Sequence, residues 1–248
     1  MGSRERQVMN GTGERILIVG AGGLGVPAAV ALARAGIRNF AVMDPDPVEL
    51  SNLPRQFIYG EASIGKSKVI AAVEFFDRCY GDAAVEPLIM RLDEGNAAGI
   101  IGSYGFVIDA TDSPATKFLI NDTCVALGHP FAYGGVIGLT GQAMTILPGR
   151  TACLRCLFEQ PPDEAEAASC REAGVVGPVA GLIGEMQAAE AIAWASGRMP
   201  ALAGMMLTLD SSGTGRIRPI AIAARTGCGC GAAQFSSHDA RGIAPAGS

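Results

Sequence analysis

The chain has 248 residues, 49% of them hydrophobic, and a net charge of −5 with no basic run. That composition suits one large α/β domain with a sizeable core and argues against general disorder and against nucleic acid as a partner. No membrane partner is expected either, because no apolar stretch reaches the roughly 18 residues a span needs. Residues 1–15 carry charges but no apolar leader core, so the expected compartment is the cytoplasm. There the seven cysteines need a reason other than disulfides.

Residues 1–13 are polar and glycine-containing and read as a loose arm, 14–230 as a single domain, and 231–248 as a small, polar, disordered tail. Ile16–Val19 is a predicted strand that meets Gly20, Gly22 and Gly25 in the order G-x-G-x-x-G. Val26–Ala35 is alanine-rich with helical periodicity, and Gly36 is its expected stop. Asn39–Asp44 is a second strand. A helix lies within Ser63–Tyr80, with Ser63 as its expected cap. Ala84–Leu92 and Phe106–Asp109 are strands, and Thr116–Leu127 is a helix. Phe131–Ile137 and Gly141–Leu147 read as a bent strand pair around Gly138, with glycines that permit close backbone approach. A loop over 159–176 and a helix over Val179–Ala195 follow. Met206–Asp210 and Ile217–Ala223 form an expected closing hairpin. Early strand–helix alternation and late strand pairs predict a Rossmann-like α/β fold: a mostly parallel sheet with a nucleotide-binding glycine loop, continued by antiparallel strands.

The glycines have a physical task. Gly20 permits a sharp turn, Gly22 lets backbone N–H groups approach phosphate, and Gly25 lets the helix lie close on the strand. Asp44, nineteen residues after Gly25, stands where a carboxylate accepts ribose hydroxyls. So far a dinucleotide and hydride transfer fit. The run DPDPVELSNLPRQF (44–57) then adds Asp46, Asn52, Arg55 and Gln56, GKSK (65–68) adds Lys66 and Lys68, and DATDS (109–113) places Asp112 just past a strand. Cations with a free carboxylate suit a triphosphate and Mg²⁺ better than a nicotinamide. An NAD-dependent oxidoreductase would leave Arg55, Lys68 and Asp112 without work. A zinc scaffold without catalysis would leave the same residues vestigial.

Cys153 and Cys156 form C-L-R-C, and Cys228 and Cys230 form C-G-C. Four thiolates around Zn²⁺ make a closed structural site, and Gly229 is expected to allow the tight C-x-C chelate. Cys79 and Cys124 fall on helices and read as packing residues. Cys170 sits apart, beside Arg171, which favours its thiolate.

In series, GAGGLG, D-x-D-x-V-x-x-S-N-L-x-R-Q, G-K-x-K, D-A-T-D, C-x-x-C and C-R-x-A-G-V-V-G-P-V resemble the ThiF/MoeB/HesA family, relatives of the ubiquitin-activating enzymes, over about residues 15–230. The pattern is closest to ThiF. The resemblance implies ATP-dependent adenylylation of the C-terminal Gly-Gly carboxylate of a small ubiquitin-like sulfur-carrier protein, as in thiamin or molybdopterin synthesis. Some branches instead act on a carrier or peptide of a specialised pathway. It implies nucleotide contacts from Gly20, Gly22, Gly23, Gly25, Asp44 and Asp46, and phosphate contacts from Ser51, Asn52, Leu53, Arg55, Gln56 and Lys68. Arg55 and Lys68 would stabilise the transition state, and Asp112, next to Ser113, would hold Mg²⁺. In the ThiF branch the cysteine matching Cys170 forms an acyl disulfide with the carrier, so a sulfur donor such as a cysteine desulfurase or a rhodanese-like protein is implied. Arg6 matches an arginine that reaches the partner subunit's ATP site, which implies a homodimer. The chain departs from the family pattern in four places. The spacer after Arg6 is shorter, Ser113 replaces Asn, Lys117 replaces Arg, and the second cysteine pair is one residue short.

Overall fold

Ile16–Val19 (β1) is apolar, mostly β-branched and buried along its whole length, which puts it at the centre of a sheet covered on both faces. The computed structural model describes residues 15–81, 83–161, 174–213 and 215–231. Its strands are β1, β2 (Asn39–Met43), β3 (Ala84–Leu88), β4 (Phe106–Asp109), β5 (Phe131–Ile137), β6 (Thr140–Ile146), β7 (Met205–Asp210) and β8 (Arg216–Ala221). They form one sheet in the order β3-β2-β1-β4-β5-β6-β7-β8. β3 to β5 run parallel, and β6, β7 and β8 pair antiparallel. The predicted sheet and the closing hairpin are both present.

The helices are α1 (Gly25–Arg34), α2 (Lys68–Tyr80), α3 (Ala97–Ile101), α4 (Pro114–Leu127), α5 (Leu154–Leu157) and α6 (Gly177–Ala195). Period-two alternation divides the core. Ile16 and Ile18 join Phe40, Phe76 and Ile183 beneath α1, α2 and α6. Leu17 and Val19 join Ile101, Ile120 and Cys153 beneath α3, α4 and α5. α1 stops where Gly36, at φ +90°, turns the chain; Gly36 N–H bonds Ala33 O and Ile37 N–H bonds Leu32 O, a Schellman closure. No described helix is long and apolar enough to cross a membrane.

Some boundaries moved. β3 ends at Leu88, the last residue opposite β2, so Ile89 and Met90 are unpaired and exposed. α2 starts at Lys68, and Ser63 closes a short 3-10 turn instead of capping it. The cause is tertiary: Val48 N–H bonds Lys66 O, Gly65 N–H bonds Val48 O, and Lys68 N–H bonds Asp46 O. Cys124 is fully buried as expected, but Cys79 is exposed at the end of α2. The arm, residues 232–248 of the tail and residues 162–173 of the expected loop lie outside the described residues.

α6 is mainly apolar, without an amphipathic stripe, and lies against α1 and the middle of the sheet. Gly184 makes this possible, since a Cβ there would stand 2.2 Å from Leu24 O. Glu190 on α6 is buried and accepts from Thr145 Oγ1 (2.7 Å), Leu202 N–H (2.7 Å) and Ala201 N–H (3.1 Å). Burial pushes its carboxyl above the ordinary value of 4.5, against the lowering effect of those three bonds. The folded chain therefore keeps this proton to higher pH than the unfolded chain does. Stability from this group is present below 4.5 and is lost as pH rises through the raised native value. Glu190→Gln is expected to remove that slope. Urea midpoints of the variant should gain on those of the native chain as pH climbs from 4.5, and parallel curves would count against the assignment.

Candidate functional site

In a sheet of this order the chain turns back between β1 and β4, and ligands bind beyond the strand ends there. Gly20 follows β1 with φ +103°, and a Cβ on it would lie 2.6 Å from Ala110 O, just past β4. A Cβ on Gly25 would lie 1.8 Å from Gly20 O, so the turn closes only with glycine at both positions. A Cβ on Gly22 would stand 3.6 Å from Gln56 Nε2, and one on Gly23 would stand 3.8 Å from Arg55 Cδ. The glycine turn, Arg55 and Gln56 are therefore neighbours. Gly177, at the start of α6, also borders Arg55.

Asp44 is buried and shapes the turn. Its Oδ2 accepts from Ala21 N–H (2.8 Å) and its Oδ1 from Asp46 N–H (2.9 Å). Lys68 Nζ lies 3.5 Å from Asp44 Oδ1 and 3.3 Å from Asp46 Oδ2. Asn52 is buried and accepts from Glu49 N–H (3.1 Å), which fixes the 3-10 turn Leu50–Asn52. That turn carries Ser51 and leads through Leu53 to Arg55, whose Nη1 donates to Ser51 O at 2.9 Å. Gln56 is buried, and its Oε1 has no hydrogen-bond partner among the described residues. Asp112 is exposed, two residues beyond the Ala110 carbonyl that meets Gly20. Ser113 caps α4, its Oγ accepting from Thr116 N–H at 3.3 Å. Arg6 and Cys170 lie outside the described residues.

Three nearby residues escaped the sequence reading. Tyr59 OH donates to Ala21 O (3.0 Å), and burial followed by the Asp44 charge pushes the phenol well up, so it stays a donor. Arg91, in the loop after β3, stands 3.9 Å from Asp46. Gln187 on α6 donates to Asp109 O (2.6 Å) and Ala132 O (3.0 Å). None of these has a local spacing signal. Each meets the site only through sheet order.

The cysteines come together as expected. The Sγ atoms of Cys153, Cys156, Cys228 and Cys230 lie within 4.8 Å of one another. Two pairs, Cys153–Cys228 and Cys156–Cys230, stand at 3.7 Å. A tetrahedron with Zn–S bonds of about 2.3 Å has sulfur–sulfur edges of roughly 3.8 Å, so the cluster has the dimensions of a Zn-thiolate site. Asn121 and Asp122 of α4 hold the first knuckle. Asn121 Oδ1 accepts from Leu154 N–H (2.9 Å), and Arg155 binds Asp122 through two 2.7 Å bonds. Cys228 and Cys230 do meet across Gly229, although a Cβ there would meet nothing within 4 Å; the left-handed glycines flanking the second knuckle are Gly227, at φ +80°, and Gly231, at φ +65°.

The model of the ThiF family matches residues 5–230. The chain belongs to the ThiF family. Curated relatives include the adenylyltransferase and sulfurtransferase MOCS3 of Anopheles gambiae, 40% identical over 195 residues, which are 79% of this chain and 44% of that protein. The adenylyltransferase and sulfurtransferase UBA4 of Candida albicans is 40% identical over 193 residues, 77% of this chain and 44% of its own. This ThiF-family chain thus spans less than half the length of those relatives. Escherichia coli MccB, solved with AMPCPP and MccA, shares the fold at a TM-score of 0.76 and 20% identity, covering 90% of this chain and 67% of MccB. PaaA shares it at 0.69 and 21%, covering 87% and 65%.

Proposed function

We propose that the chain is an ATP-dependent adenylyltransferase that activates the C-terminal carboxylate of a small ubiquitin-like sulfur carrier. The observation that carries this reading is the junction of a glycine turn closed to a Cβ at Gly20 and Gly25 with Arg55, Gln56 and Lys68, in a member of the ThiF family whose curated relatives are named adenylyltransferases. Gly20, Gly22, Gly23 and Gly25 admit the phosphates to the backbone. Asp44 and Asp46 face the ribose side, and the orphaned Gln56 Oε1 supplies a buried acceptor for a ligand N–H or O–H. Ser51 to Arg55 and Lys68 line the phosphates.

In the reaction, a carboxylate oxygen of the carrier attacks the α-phosphorus. The new O–P bond replaces the bond to the β-phosphate, and pyrophosphate leaves with the electron pair. Negative charge grows on the phosphoryl oxygens, where Arg55 and Lys68 offset it. Asp112 is the residue that would hold Mg²⁺, which when bound would supply further screening of that charge. Cys153, Cys156, Cys228 and Cys230 would hold Zn²⁺, which when bound would pin the C-terminal segment to the middle of the chain. Cys170 is assigned the sulfur-transfer step with an external sulfur donor, Arg6 a place in the ATP site of the other subunit of a homodimer, and the whole chain a cytoplasmic setting. These assignments rest on sequence alone.

The test incubates the protein with ATP and a panel of carriers ending in Gly-Gly, with a free peptide alongside, followed by intact mass. A carrier should gain one adenylyl group. A panel left unmodified, or adenylation of the peptide alone, overturns the carrier reading.

A further inference from the structure

One buried network among the described residues has no part in the chemistry above. Asp109 ends β4, fully buried, and its Oδ1 accepts from Thr111 Oγ1 (2.7 Å) and Thr111 N–H (3.1 Å). Those two bonds fold the turn that presents Asp112. Lys117 Nζ, on α4, reaches the same Oδ1 at 3.2 Å and donates to Gly134 O on β5 at 2.5 Å. It also lies 5.0 Å from the centre of the Tyr133 ring, with its side chain only 12% exposed.

The position of Gly134 explains why this second bond matters. The β4–β5 ladder ends at the Asp109–Tyr133 pair, so Gly134 is the first residue of β5 with no β4 partner. Its carbonyl takes the ammonium of Lys117 in place of a strand. From the other face of the sheet Gln187 clasps the same junction through Asp109 O and Ala132 O. A counter-ion for Asp109 alone would need only the first contact.

We propose that Lys117 is a positioning residue. It ties the 110–113 turn, which aims Asp112, to β5 at Gly134, so the carboxylate proposed for the metal and β5 keep one geometry. The functional half of this statement rests on the adenylyltransferase reading; the tie itself does not.

Lys117→Met leaves Asp109 buried beside no cation, so it can fail by misfolding. The double variant Asp109→Asn with Lys117→Met removes the charge and keeps an acceptor for Thr111. It retains the local turn and loses only the tie. Two readouts follow: amide hydrogen exchange, and carrier-dependent pyrophosphate exchange resolved into kcat and KM for ATP. In the double variant, exchange should quicken in 111–113 and in 134–137 together. The kcat should fall roughly tenfold to a hundredfold with KM for ATP nearly unchanged, as expected for misplacement without lost binding. Lys117→Arg, which keeps a cation able to donate twice, should restore both. Unchanged amide exchange in either segment, a native kcat in the double variant, or an arginine variant as impaired as Lys117→Met overturns the proposal. If the native chain itself shows no pyrophosphate exchange, the adenylyltransferase reading fails, and amide exchange alone then decides the tie.

Discussion

Asp112→Ala is expected to abolish ATP–pyrophosphate exchange while the protein melts as before. Asp112 is exposed and makes no hydrogen bond or ion pair with any described residue, unlike Asp44, Asp46 and Asp109, which are all engaged. Its removal therefore breaks no contact, and surface changes of this kind stay within about 0.5 kcal/mol. Losing a carboxylate that holds a charge-screening metal should cost about 10²- to 10³-fold in rate or more. Asp112→Asn, which keeps the size and loses the charge, should be nearly as poor. Near-normal exchange in either variant would remove Asp112 from the site. A matching drop in Tm would make its role structural.

The second large effect is on stability. Purified protein should carry one zinc ion per chain, and Cys153→Ser should lower Tm by roughly 10 °C or more. The cluster joins the 153–156 knuckle, docked on α4, to residues 228–230 beyond β8. Gly149 N–H also bonds Cys230 O at 3.1 Å, so the two segments already touch. Structural Zn²⁺ contributes on the order of 10 kcal/mol in small domains, and even a few kcal/mol shift Tm by about 10 °C in a chain of this size. Strong chelator should reproduce the loss in the native chain and add little in the variant. Metal analysis that finds no zinc, together with a melting curve indifferent to chelator, would reduce the cluster to four packed thiols.

Much of the site was legible because its signals are local. G-x-G-x-x-G follows an isolated apolar run, and Gly20 and Gly25 stand as close to backbone atoms as the motif requires. The C-x-x-C and C-x-C pairs meet as their spacing implied. What escaped depends on pairing distant in sequence. Ile89 and Met90 look like strand and are not, because β2 offers no further partner. Ser63 looks like a cap, but an antiparallel bridge between Pro47 and Ser67 delays the helix. Gln187 sits in a helix with no amphipathic stripe, and its purpose appears only where β4 and β5 diverge. Lys117 reads from sequence as a substitution near a motif. The register of β4 against β5 makes it a bridge.

The central claim is that this site activates a carboxylate with ATP. Isotope exchange between pyrophosphate and ATP, measured with a carrier ending in Gly-Gly and with the same carrier amidated at its C-terminus, tests it most directly. Rapid exchange is expected with the free carboxylate and none with the amide. Exchange that is indifferent to the amide, or absent with every free carboxylate offered, would contradict it.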